Sequence, residues 1–157
     1  MKLIITSLVI LLGLTSQSFS EEVKDVGLIC KEGNDEISGY RMFWFKGNGR
    51  LEKYIRDLED LDKDGNKVEY NLDDVVSNNL RYVTNDRRIE ITFLNDDGSP
   101  NYNIGFRINR FDLTMVSGLY GYQTHYQCGV FSNKQTFFSK IKEIEKTIKK
   151  FLNKRKI

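Results

Sequence analysis

A single histidine, a single proline and two cysteines stand among 157 residues. One histidine excludes any metal centre or proton relay that needs two. One proline beside 12 glycines excludes collagen-like chains and Pro/Gly-rich disordered ones. A formal charge of +2, from 24 Lys/Arg against 22 Asp/Glu, argues against a dedicated nucleic-acid binder. No apolar run reaches the roughly 20 residues that a bilayer-spanning helix needs. The length suits one globular domain and is short for two.

The first twenty residues read as an export signal. Lys2 is the only charge before Glu21, and Leu3 to Leu14 is a nearly continuous apolar run. A polar stretch follows, with Ser18 and Ser20 at positions −3 and −1 of a cut before Glu21. Residues 1–20 are therefore expected to be removed, leaving a single domain over 21–157 that is secreted or periplasmic and has no transmembrane segment. Ile29 stands where lipoprotein acylation at Cys30 would need a small residue, so lipidation is not expected. In an oxidising compartment the pair Cys30 and Cys128 is expected to form a disulfide. No C-x-x-C spacing points to redox chemistry.

Most of the remaining chain alternates with period two, the signature of β-strands. Leu28 and Cys30 share a face of a first strand. Tyr40-Arg41-Met42-Phe43-Trp44-Phe45 is apolar on both faces, as a strand covered on both sides would be. Asn48-Gly49 reads as a tight hairpin. Residues 51–58 also fit a helical spacing, but the flanking hairpin signals favour a strand. Ile89-x-Ile91-x-Phe93, Tyr102-x-Ile104-x-Phe106-x-Ile108 and Tyr122-x-Thr124-x-Tyr126-x-Cys128 alternate in turn, and Asn95 to Pro100 punctuates them. The pattern predicts an all-β antiparallel barrel or sandwich of about eight or nine strands. Tyr40, Trp44, Tyr102, Phe106, Phe111, Tyr122 and Tyr126 are candidates to line a barrel interior.

The chain ends differently. Ser132 with Gln135 resembles a capping box. Phe137, Phe138, Ile141, Ile144, Ile148, Phe151 and Leu152 make a stripe with helical spacing. One amphipathic helix is expected over about 133–153, covering the second face of the strand around Trp44. Cys30 on the first strand and Cys128 on the last would be neighbours in an up-and-down barrel, and the disulfide would fasten its seam. Charge is uneven. Residues 131–157 hold nine Lys/Arg and two Glu, net +7, while residues 21–130 hold 14 Lys/Arg and 20 Asp/Glu, net −6. A basic helix of this kind suits an anionic lipid or nucleic acid, but a stripe packed on the sheet with its lysines in water explains the same residues.

The sharpest local motif is Asp60-Leu61-Asp62-Lys63-Asp64-Gly65-Asn66. Asp60, Asp62, Asp64 and Asn66 match the first half of a calcium loop, in which alternate oxygens converge on one cation. Asn71 stands where the anchoring Glu is needed. Glu69, Asp73 or Asp74 would have to supply the late ligand, and an acidic hairpin loop explains the same residues. His125 falls on the strand face opposite Tyr126 and Cys128, and reads as a solvated side chain. Asp57, Glu59 and the loop aspartates crowd one segment, whereas a glycosidase pair spans a cleft. No catalytic set emerges, and a non-enzymatic role is expected.

The segments Leu28-Ile29-Cys30-Lys31, Phe106-Arg107-Ile108-Asn109-Arg110-Phe111-Asp112-Leu113 and Tyr126-Gln127-Cys128 resemble a group of small secreted proteins of AT-rich marine bacteria. That resemblance implies a small disulfide-linked β domain. Ser117-Gly118-Leu119-Tyr120 is similar to the Ser-Gly loop of periplasmic lysozyme inhibitors, although the tyrosine spacing departs from theirs. The expected function is binding of a small apolar ligand or an envelope component. The alternative is a protein-interaction or inhibitor module with a calcium-binding acidic loop.

Overall fold

A computed structural model describes residues 22–34, 39–58, 70–71, 74–75, 79–118 and 123–155. Among the described residues ten strands precede one helix. They are β1 (Lys24–Glu32), β2 (Tyr40–Gly47), β3 (Arg50–Leu58), β4 (Tyr70–Asn71), β5 (Asp74–Val75), β6 (Leu80–Thr84), β7 (Arg88–Leu94), β8 (Pro100–Asn109), β9 (Thr114–Ser117), β10 (Thr124–Phe131) and α1 (Lys134–Arg155). The ambiguous stretch 51–58 is thus a strand. Eight of the ten strands close into an antiparallel barrel. β2 meets β3, the order runs on through β6, β7, β8, β9 and β10, and β10 returns to β1 beside β2. Closure leaves every ring strand paired on both sides, which removes the exposed edges of an open sheet.

The β3–β6 seam is short. Arg50 pairs with Arg81, and Tyr82 N–H donates to the Gly49 carbonyl. Beyond it, β5 and β4 occupy the same side of β3 at Lys53–Tyr54 and Asp57–Leu58. Tight turns close one end of the barrel. Asn48 and Gly49 both have positive φ, 53° and 68°, as a two-residue hairpin with the twist of its strands requires. Asn85 Oδ1 accepts from the N–H groups of Arg87 and Arg88 in the next turn. Val23 packs under this end, and its carbonyl accepts from the Tyr82 hydroxyl. Burial first, then the nearby Glu22 carboxylate, pushes the Tyr82 hydroxyl up to about 12.

Two layers of apolar side chains follow from the alternation. Inside the barrel Leu28, Phe43, Phe45, Leu80, Ile91, Phe106, Ile108, Met115 and Tyr126 pack with both cysteines. Outside it Ile29, Met42, Trp44 and Tyr54 meet Phe137, Ile141, Ile144 and Ile148 of α1. The helix therefore covers the doubly apolar strand as the sequence requires. Phe137 is the centre of that contact, with its ring 5.3 Å from Trp44 and 5.9 Å from Tyr54.

Several expectations change. Trp44 and Tyr40 lie outside the barrel, because the parity that puts Phe43 and Phe45 inward turns their neighbours outward under the helix. Phe111 is 78% exposed in the β8–β9 turn. Phe106 and Tyr126 are interior as expected, and the side chains of Tyr102 and Tyr122 lie outside the described residues. Ile104 leaves the face it shares in sequence with Phe106. The register jumps from Thr92↔Gly105 to Phe93↔Asn101, and this irregularity turns Ile104 out to 53% exposure. The helix is capped by Asn133 rather than Ser132, since Asn133 Oδ1 accepts from the N–H groups of Gln135 and Thr136.

Candidate functional site

Cys30 and Cys128 are direct register partners on β1 and β10, and their sulfurs are bonded across 98 residues of chain. The first and last strands of the barrel are thereby fastened at their seam. Among the described residues no helix is long and apolar enough to cross a membrane.

The barrel interior is filled where it is described. Phe43 and Phe106 rings stand 5.1 Å apart, and Phe45 and Tyr82 rings 4.9 Å apart, both edge to face. Two cations enter this interior. Lys53 is 7% exposed, with Nζ 4.9 Å from the ring centroids of both Phe93 and Phe106. The Arg41 guanidinium lies 5.8 Å over Tyr126. Such contacts offset part of the cost of removing a charge from water. The aromatic count does not announce these cations, but strand parity does, since Lys53 lies two residues from inward Leu51 on the same strand.

A cleft of about 380 Å³ opens outside the barrel, between α1 and the β1–β10 seam. That volume lies within the roughly 300–1,000 Å³ of small-molecule sites. Its apolar walls are Ile29, Phe131, Ile144 and Ile148, and its polar rim includes Lys31, Tyr40, Lys140 and Thr147. Gly129 is the reason the floor is open. It pairs with Ile29 on the outward face, where any side chain would stand in the cleft. A Cβ placed there meets nothing nearer than Phe131 Cε2 at 3.8 Å, an ordinary contact. Lys140 Nζ is held 2.8 Å from Glu143 at the rim. Burial raises the Tyr40 hydroxyl above its ordinary value, while the Lys140 charge pulls the other way, so Tyr40 keeps its proton at neutral pH. Among the described residues no acid lies within ion-pair distance of Lys31, which brings a second ammonium to the rim beside the paired Lys140.

A second cleft of about 340 Å³ lies at the tight-turn end, among Val23, Val26, Leu28, Ile89, Leu113 and Val130. His125 is exposed on the outer face of β10, opposite Val116 of β9. The calcium candidates Asp60, Asp62, Asp64 and Asn66 lie outside the described residues. The α1 cleft is not legible in the sequence. It needs a glycine on one strand, a stripe on the helix and the closure of the seam to bring them together.

Comparison with known proteins finds no matching family model, no matching curated protein and no matching solved structure.

Proposed function

We propose that this is an exported, non-enzymatic binding module, and that its ligand is a small amphiphile with an apolar chain and an anionic head. The observation that carries the reading is the α1 cleft, with four apolar walls, a glycine floor and the Lys31 ammonium at its rim. Burial of apolar chain against Ile29, Phe131, Ile144 and Ile148 supplies affinity at about 25 cal/mol per Å². Lys31 supplies the preference for negative charge, with Tyr40 and Thr147 as hydrogen-bonding neighbours. The filled barrel interior favours a site outside it. Export is supported by the Lys2 and Leu3–Leu14 pattern and by the disulfide, a bond typical of oxidising compartments.

The test is calorimetric titration with laurate. Parent protein is expected to bind it. Gly129→Leu fills the cleft without straining the backbone and is expected to abolish binding while leaving the melting temperature in place. Lys31→Gln is expected to weaken binding of laurate and to leave binding of the neutral alcohol dodecanol unchanged. Equal binding by parent and Gly129→Leu removes the cleft as the site.

A further inference from the structure

The outer face of α1 carries a feature that the cleft does not use. Lys142, Lys146 and Lys150 recur every fourth residue and so stand in one row, with Lys149 beside it. All four are exposed. The row runs about 12 Å along the helix at 1.5 Å per residue.

The other charges of the described helix up to that point are engaged. Lys134 approaches Glu52 at 3.8 Å and lies 5.7 Å over the Trp44 ring. Lys140 holds Glu143, and Glu145 receives Arg56 at 2.6 Å. Among the described residues no acid lies within ion-pair distance of the four row lysines. Like charges four residues apart weaken a helix. The row is not needed to hold α1 down, because Phe137, Ile141, Ile144 and Ile148 already do so from the opposite face. A one-signed ridge thus stands on the outer face of α1, in a segment, residues 131–157, whose net charge is +7.

We propose that this lysine row docks the protein on an anionic lipid surface. The row contains no arginine and no aromatic ring. Arginine forks and stacking rings are what recognition of individual phosphates and bases draws on. A compact, hydrated ammonium needs only a diffuse negative field, which an anionic bilayer provides over its whole area. An exposed row of one sign on a single helix face turns α1 towards such a surface. The ridge depends on no property of the cleft, so either proposal stands if the other fails.

The experiment is co-sedimentation of the full chain with vesicles of phosphatidylcholine alone and with vesicles half of phosphatidylglycerol. Binding is expected only to the anionic vesicles and is expected to fall as salt rises. Each lysine near the surface is worth about fivefold in partitioning, so Lys142→Gln/Lys146→Gln/Lys150→Gln lowers it roughly a hundredfold. The corresponding triple change to Arg retains binding. Thermal melting of the Gln variant, expected at or above that of the parent, shows that the fold is intact. Gly129→Leu is expected to bind the vesicles as the parent does. Equal partitioning of parent and Gln variant, or equal binding to neutral and anionic vesicles, overturns the proposal. So does tighter binding to duplex DNA than to the vesicles at the same salt, which assigns the row to a nucleic acid.

Discussion

Cys30 and Cys128 face each other as register partners where the first strand of the barrel meets the last, so one covalent bond closes the ring. Their separation of 98 residues makes the constraint on the unfolded chain large, about 4–5 kcal/mol in the chain-entropy account. Reduction is expected to lower stability by roughly 3–5 kcal/mol. Urea denaturation with and without reductant measures it. A loss below about 1 kcal/mol would mean that the β1–β10 hydrogen bonds hold the seam without sulfur.

Gly27 sets the distance between helix and barrel. A Cβ on it would overlap the Phe137 ring, with Cγ at 2.9 Å, and Phe137 is fully buried between Trp44 and Tyr54. Gly27→Ala is expected to cost about 1–3 kcal/mol, the range for overpacking a filled contact. Combining it with Phe137→Leu should recover part of that loss. A strictly additive double-mutant cycle would show that the two positions do not press on each other.

The barrel and its helix were legible because alternation and a 3.6-residue stripe are physical requirements of half-buried strands and of a surface helix. The disulfide followed from two cysteines on the strands that an up-and-down barrel makes adjacent. What stayed hidden was sidedness. Tyr40 to Phe45 is apolar on both faces, and periodicity alone cannot say that Phe43 faces the interior while Trp44 faces the helix. Ile104 was misplaced by a register irregularity, and Phe111 by a turn in which Leu113 takes a positive φ of 56°. The cap was misplaced by one residue, since Ser132 and Asn133 both carry an oxygen suited to the role. The α1 cleft depends on Gly129 having no side chain, and one glycine in a strand does not announce what lies above it.

Arg56 anchors the helix from the barrel side. It is 4% exposed, and its Nε and Nη2 donate to Glu145 Oε1 at 2.9 and 2.6 Å while Nη1 donates to the Ile55 carbonyl. Glu145→Ala is expected to cost about 2 kcal/mol, as removal of a charged hydrogen-bond partner from a buried group does. Glu143→Ala breaks only the exposed contact to Lys140 and is expected to cost less than about 0.5 kcal/mol. The contrast is the measurement, read by urea denaturation. Equal losses would place the helix anchor elsewhere.

Glu52 ties β2, β3 and the start of α1 together, and this makes stability depend on acid. Its carboxylate contacts Lys46 at 2.5 Å, the Tyr54 hydroxyl at 3.0 Å and Lys134 at 3.8 Å. Burial alone would raise its pKa, but the hydrogen bonds from Lys46 and Tyr54 and the Lys134 charge together hold it below the ordinary value of 4.5. A carboxyl with a depressed value in the folded state favours folding while it is ionised. Its contribution is full above 4.5, where the unfolded chain is also ionised, and it disappears as pH falls through the depressed folded value. Glu52→Gln is therefore expected to be less stable than the parent at neutral pH by about 1 kcal/mol. The two proteins should approach each other as pH drops below 4.5, because the parent loses what the variant never had. Melting temperatures of both across that range decide the matter. A difference that stays constant down to the acid end would assign the loss to packing rather than to the carboxylate charge.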